Sequence, residues 1–345
     1  MRHIAAIRLS ALGDVAMTVP VLYALAQQYP ELHITMVSRP FFKPMFEGIP
    51  NLNFLAADLA GKHKKLPGLL QLSHDLKDRD VDAFADLHNV LRSHVMSLLL
   101  RLSGIRVATL DKARSQRKAL TRAKNKKFAP LAPVTQRYAQ VFAELGYPID
   151  LSIATALPKP AMGEESLIVS GNKESMWLGI APFAKHPGKV YPFDLMQEVI
   201  GRFSVGNSKI FLFGSGADEL RQLEKFANKS SNIVVVAGKL GFGSELELIS
   251  NLDAMLSMDS GNAHLAAMYG VPTVTLWGAT HPYAGFAPFN QPPTNAIASD
   301  REKYPLLPTS IYGNRKVKGY EDVMRTISPE VVVAKINQIL DQTSS

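Results

Sequence analysis

The chain has 345 residues, of which 46% are hydrophobic and 20% charged, with 38 Lys and Arg against 30 Asp and Glu and no cysteine. That length exceeds one ordinary core and predicts two domains of globular, water-soluble composition. No apolar run is long enough to span a membrane, and the lack of cysteine excludes disulfides and thiolate metal sites.

Met1 to Ile7 is too short for a signal peptide and runs directly into a polar turn, so a cytoplasmic protein is expected. The pattern that follows is strand, turn, helix, repeated. Ile4 to Leu9 reads as a strand ending in Ser10-Ala11-Leu12-Gly13-Asp14, and Val15 to Gln28 as a helix with Pro20 as a kink or restart. Strands are predicted at His33–Ser38, Leu52–Ala56, Ala83–Leu87 and Arg106–Leu110, with helices at Leu69–Lys77, Val90–Leu102 and Val134–Leu145. Residues 146–164 are rich in Pro and Gly and read as a linker. The alternation then restarts. Strands are predicted at Trp177–Ala181, Lys209–Phe213, Ile233–Val236, Ala254–Met258 and Thr273–Trp277. Helices are predicted at Pro192–Phe203, Asp218–Asn228, Glu245–Leu252 and Ala263–Tyr269, followed by an irregular stretch over 278–327 and a last helix, Pro329–Leu340. Alternation of this kind predicts two α/β, doubly wound, Rossmann-like domains. The boundaries read as 1–150, 164–328 and a closing helical segment, 329–345, packing back on the first domain. Two such domains would face each other across a cleft, with ligands outside the carboxyl ends of the strands.

The formal charge of +8 is local. Lys112, Arg114, Arg117, Lys118, Arg122, Lys124, Lys126 and Lys127 form a run without an acid, and the rest of the chain is balanced. Lys62, Lys64 and Lys65 form a smaller cluster. Such segments suit a polyanionic partner: nucleic acid, an anionic membrane surface or a phosphorylated substrate. Few aromatics accompany the long run and no groove-reading motif is present, which argues against nucleic acid.

Four strand-end turns carry chemistry. In the first, Gly13 permits a tight turn, and Asp14 either caps the helix or takes a proton from an attacking hydroxyl as a general base. The second, Lys185-His186-Pro187-Gly188-Lys189-Val190-Tyr191-Pro192, puts Lys189 ahead of a helix start, as a diphosphate contact or a solvated loop lysine. The third is Gly214-Ser215-Gly216-Ala217-Asp218-Glu219, where Asp218 or Glu219 suits ribose hydroxyls or simply a helix N-terminus. The fourth, Asp259-Ser260-Gly261 with His264 one turn on, is a capped helix whose free N–H groups suit an anion. Together Lys189, an acid and a helix start would stabilise a departing nucleoside diphosphate, and lysine with helix dipole could stand in place of a metal.

Arg8-Leu9-Ser10-Ala11-Leu12-Gly13-Asp14-Val15, Lys189-Val190-Tyr191-Pro192, and Asp259-Ser260-Gly261 with His264, Pro272 and Trp277-Gly278 resemble the lipopolysaccharide heptosyltransferases, glycosyltransferase family 9. The match runs in order over roughly residues 1–280, with the spacing of a GT-B fold. The resemblance implies an inverting, metal-independent transfer of heptose from ADP-heptose to the lipopolysaccharide inner core, with no cofactor. It implies Asp14 as base, and Lys189, Asp218 or Glu219, Asp259, Ser260, Gly261 and His264 as donor-binding residues. Ser10, Lys62, Lys64, Arg92, Arg117 and Arg122 would face an anionic core glycolipid at the inner face of the membrane. Two departures concern that acceptor: many relatives carry cysteines in the region of residues 300–325, and the run from Lys112 to Lys127 is unusually basic. Rival readings are transfer from another nucleotide sugar, a GT-B nucleotide-sugar epimerase, which needs no acceptor, and a basic nucleic-acid-binding protein.

Overall fold

The computed structural model describes residues 2–205, 208–227 and 230–343. Met1, Asn228, Ser344 and Ser345, which fall inside expected segments, lie outside them. The chain divides into two compact units, one of residues 1–114 and 132–157, the other of residues 115–131 and 158–345.

The first unit holds strands β1 (His3–Ile7), β2 (His33–Ser38), β3 (Leu52–Ala56), β4 (Ala83–Asp86) and β5 (Arg106–Thr109). They form one parallel sheet in the order β3-β2-β1-β4-β5. The helix expected over Val15–Gln28 is two helices, α1 (Leu12–Ala16) and α2 (Thr18–Gln28). Pro20 is the third residue of α2, where an N–H would have no partner, so it costs no helical bond. Helices α3 (Lys65–Lys77) and α4 (Leu91–Leu102) pack on each other, and Leu69, Leu72, Leu76, Met96 and Leu100 join Ala5, Ile7 and Phe84 of the sheet in a core. The basic run includes α5 (Arg114–Thr121) and continues past it without regular structure, and residues 115–131 cluster with the second unit instead of the first. The first unit resumes with α6 (Val134–Glu144), which packs on α2.

The second unit opens with α7 (Glu164–Ser170), a helix at the end of the expected linker. Then come β6 (Met176–Ala181), α8 (Phe193–Ser204), β7 (Ser208–Leu212), α9 (Gly216–Ala227), β8 (Ile233–Val235), α10 (Phe242–Ser250), β9 (Ala254–Met258), α11 (Gly261–Met268) and β10 (Thr273–Trp277). A short β11 (Ala296–Ala298) extends the parallel sheet to β11-β10-β9-β6-β7-β8. The closing helix, α12 (Pro329–Thr343), packs on α8 within this unit, a correction to the expectation that it returns to the first domain. The cause is its apolar stripe: Val332, Ile336, Ile339 and Leu340 recur at helical spacing and enter the core with Val199, Ile200 and Phe203 of α8.

Each sheet reverses direction once. The first does so between β1 and β4, the second between β6 and β9. At such a switch point the two following loops diverge and leave a crevice beyond the strand ends. Both reversals are marked by polar turns, Ser10–Asp14 in the first unit and Asp259–Gly261 in the second.

Glu245, in the first turn of α10, is half-buried, and desolvation raises its carboxyl to about 7. A carboxyl raised on folding adds stability that is complete below its unfolded value and is lost as pH rises through 7. Glu245→Gln should therefore leave Tm unchanged near pH 4.5 and raise it relative to the parent at pH 8, by the equivalent of at most about 3 kcal/mol. A melting series from pH 4.5 to 8.5 checks this, and a Tm difference that does not grow with pH would contradict it.

Candidate active site

In the first unit Ile7 of β1 sits opposite Asp86 of β4, so the residues that follow each strand share the crevice. Arg8 is buried there and spans it. Its Nε donates to the Ser10 carbonyl at 2.7 Å, one terminal nitrogen donates to the Leu87 carbonyl at 2.7 Å, and the other meets Asp14 Oδ2 at 2.8 Å. Asp14 is the third residue of α1, and its Oδ2 also accepts the Ala11 N–H at 3.3 Å. Both roles read from the sequence, cap and cleft carboxylate, are thus open to one side chain. Oδ2 does the capping, and Oδ1 has no hydrogen-bond partner among the described residues. Tyr138 of α6 donates its hydroxyl to the Asp14 carbonyl and lies under the Arg8 guanidinium. His88 is buried beside this pair, and desolvation together with Arg8, Lys112 and Arg39 pushes its imidazole down to about 3, so it is neutral at physiological pH.

In the second unit the register Ala181↔Ser257 brings the end of β6 beside the end of β9. Lys189 Nζ lies 2.9 Å from Asp259 Oδ2, with both side chains largely buried, and Thr280 donates to the same oxygen at 2.7 Å. Ser260 is the N-cap residue of α11 by backbone, but its hydroxyl makes no cap bond and sits 3.1 Å from Ser257 Oγ. The Ser260 hydroxyl therefore does not cap the first-turn N–H groups of α11, and the helix dipole adds positive character there. Gly261 is the first residue of α11, and His264 is buried in its first turn.

The lysine is held by three loops pressed together. The Ala279 N–H donates to the Gly188 carbonyl at 2.7 Å. A Cβ on Gly278 would lie 2.5 Å from the Gly188 oxygen, and one on Gly313, whose φ is +76°, would lie 2.4 Å from Lys189 Cγ. Only glycine fits at these contacts.

The two acids after β7 differ. Glu219 folds back over the turn and accepts the Ser215 N–H at 2.7 Å, whereas Asp218 is exposed and paired with Arg221 of its own helix. The basic residues also separate. Lys62 is exposed and pairs with Asp75 at 3.2 Å, Lys64 is exposed, and Arg92 is exposed on the first turn of α4. Arg117 stacks on Phe286, 4.8 Å from the ring centre, and donates to Tyr312, while Arg122 is exposed. Lys126 donates to the Leu120 and Pro308 carbonyls, and burial with nearby Arg301 and Arg315 lowers it to about 8. Arg301 stacks on Phe128. Part of the basic run is thus the means by which residues 115–131 attach to the second unit.

Reasoning from sequence passed over Arg8, Thr280 and His88 as site residues. Arg8 had a signal, a lone cation closing an apolar strand; Thr280 had none, since it reaches Asp259 across 21 positions. Asp-x-Asp spacing occurs at Asp78, Asp80 and Asp82, but it precedes β4, and Asp82 accepts the His3 N–H, at the opposite end of the sheet from Asp14. Among the described residues no group of three His, Asp or Glu side chains is placed to hold a metal ion.

The model of glycosyltransferase family 9 (heptosyltransferase) matches residues 69–309. The chain belongs to this family. It is 24% identical over 344 residues to lipopolysaccharide heptosyltransferase 3 of Escherichia coli, covering 96% of each chain. Among solved structures it is similar to a family 9 glycosyltransferase from Veillonella parvula, with a TM-score of 0.75, 21% identity and coverage of 99% and 97%. It also matches the Escherichia coli ADP-heptose LPS heptosyltransferase II, with a TM-score of 0.68, 21% identity and full coverage of both chains. The fold is therefore GT-B, and the activity class is glycosyl transfer.

The glycine contacts give a test with an internal control. Gly278→Ala should lower the stability of the second unit by about 1–3 kcal/mol, because the clash is with backbone that carries Lys189. Gly201→Ala, in α8 with nothing within 4 Å, should raise Tm slightly through helix propensity. Differential scanning calorimetry reads both, and equal effects would contradict the packing described.

Proposed function

We propose that the protein transfers a heptose from ADP-heptose to the inner core of lipopolysaccharide, with inversion and without a metal. The observation that carries this reading is the Lys189–Asp259 pair beside the open start of α11. A lysine and a helix start that its N-cap side chain leaves uncapped, at one strand-end crevice, suit a diphosphate, whose charge grows as it leaves. The similarity to lipopolysaccharide heptosyltransferase 3 and to an ADP-heptose LPS heptosyltransferase supports this choice of sugar, nucleotide and acceptor.

Donor binding falls to the second unit. Lys189 and the N–H groups after Ser260 take the diphosphate, with Gly261 allowing close approach and His264 adding a donor. Asp259 holds Lys189 in place. Glu219, which lies over the turn after β7, is preferred to Asp218 for the ribose hydroxyls.

Acceptor activation falls to the first unit. Arg8 fixes Asp14 through Oδ2, which leaves Oδ1 to take the proton of the attacking hydroxyl. The acceptor oxygen then bonds to the anomeric carbon while the bond from that carbon to the β-phosphate oxygen breaks, and the electron pair leaves on ADP. Ser10, Lys62, Lys64, Arg92, Arg117 and Arg122 are the groups read as facing the anionic acceptor. Arg117 can do so only with the part of its guanidinium not committed to Phe286 and Tyr312. The protein would work at the cytoplasmic face of the inner membrane in peripheral contact with anionic lipid.

Asp14→Ala should reduce transfer to core-truncated lipopolysaccharide by at least about 100-fold while ADP affinity survives. Turnover within about tenfold of the parent would remove Asp14 as base. In a thermal-shift panel of ADP-, UDP-, GDP- and CMP-sugars, ADP-heptose should stabilise most. Turnover should also persist in EDTA, and its loss there would overturn the metal-independent reading.

A further inference from the structure

Helix α4 carries two apolar faces, and only one of them is covered. Met96 and Leu100, with Ser93 and Ser97, are buried on the sheet side. On the opposite side Leu91, Leu98 and Leu102 are 81%, 59% and 77% exposed. At 100° per residue these three and the half-buried Val95 fall within a stripe about 60° wide. Exposed Arg92 borders one edge, and exposed His94 and Arg101 border the other; the helix holds no acid. The neighbouring α3 adds Leu66 and Leu70, 56% and 38% exposed, and exposed Lys64 and Lys65 lie at its start. Its one acid, Asp75, is already paired with Lys62. Single exposed leucines are ordinary, but a row of them framed by cations is not.

We propose that the outer face of α4, with the start of α3, rests on an anionic phospholipid surface. The leucines would enter the headgroup–acyl boundary, and Arg92, Arg101, Lys64 and Lys65 would meet lipid phosphates. Twelve residues are too few to span a bilayer, so the helix lies in the plane of the surface. Charge selects this occupant over a second copy of the chain. A two-fold dimer through α4 would set a face bearing Arg92 and Arg101 against its own duplicate, with no acid on the helix to offset them. An anionic surface pairs with those same cations. The inference deepens the peripheral contact proposed above by naming the surface that makes it, and it does not depend on the transferase assignment.

The test is flotation of the full chain with vesicles of phosphatidylglycerol and phosphatidylethanolamine, compared with phosphatidylcholine alone. The parent should partition at least about tenfold more strongly to the anionic vesicles, and less in high salt. The Leu91→Gln, Leu98→Gln, Leu102→Gln triple variant should lose about tenfold or more of that binding, while Tm, ADP affinity and elution volume stay unchanged. Equal flotation of triple variant and parent would overturn the proposal. So would a parent dimer that the triple variant dissociates, since the face would then belong to a second copy. ADP titration of the same samples separates the two readings. A parent that floats but binds no ADP would refute the donor assignment alone, and one that binds ADP but does not float would refute this inference alone.

Discussion

Lys189 and Asp259 are largely buried and meet at 2.9 Å, so each is the other's counter-charge. Removing one partner of such a pair leaves an uncompensated charge, which is costlier than the pair is stabilising. Much of the local structure of the second unit follows from satisfying it. Asp259 must sit at the end of β9 and Lys189 beyond β6, which the neighbouring register of those strands allows. Thr280 supplies a second hydrogen bond to the shared oxygen. The loops bearing Gly188, Gly278 and Gly313 approach to backbone contact, and Gly313 lies against the lysine stem. The pair then presents a cation of fixed position next to a helix start without a side-chain cap from Ser260, and an anionic ligand has little reorganisation to do.

The first unit repeats the logic with the charges exchanged. Its reversal between β1 and β4 also places a cation and a carboxylate beyond two adjacent strand ends, but here the buried member is Arg8 and the accessible one is Asp14. Arg8 spends three nitrogens on Ser10, Leu87 and Asp14, so it serves as a brace more than as a ligand. What it leaves available is a carboxylate oxygen. One unit therefore offers negative charge suited to taking a proton, and the other offers positive charge suited to taking a phosphate.

The strands were legible because parallel strands buried on both faces read as short apolar runs, and the turns after them because Gly, Asp and Ser punctuate strand ends. Asp14, Lys189 and Asp259 were legible for that reason. Their partners were not: Arg8 meets Asp14 through a local turn, but Thr280 meets Asp259 only through the placement of two loops. The basic run was legible as charge suited to a polyanionic partner, but not that Arg117 and Lys126 also contact Phe286, Tyr312 and backbone carbonyls of the second unit. The apolar helix near Leu91 was visible as such, but periodicity does not say which of two apolar faces meets the sheet. The closing helix was assigned to the wrong unit, since its stripe of Val332, Ile336 and Ile339 fits any apolar surface and only the fold supplies α8.

The central claim is that Lys189 is the diphosphate contact of the donor. Isothermal titration of ADP into the parent and into Lys189→Ala, with folding of the variant checked by circular dichroism, tests it most directly. The account predicts ADP binding to the parent and a loss of at least about tenfold in the variant, the scale of one charge-assisted hydrogen bond. Unchanged ADP affinity in a folded Lys189→Ala protein would contradict it.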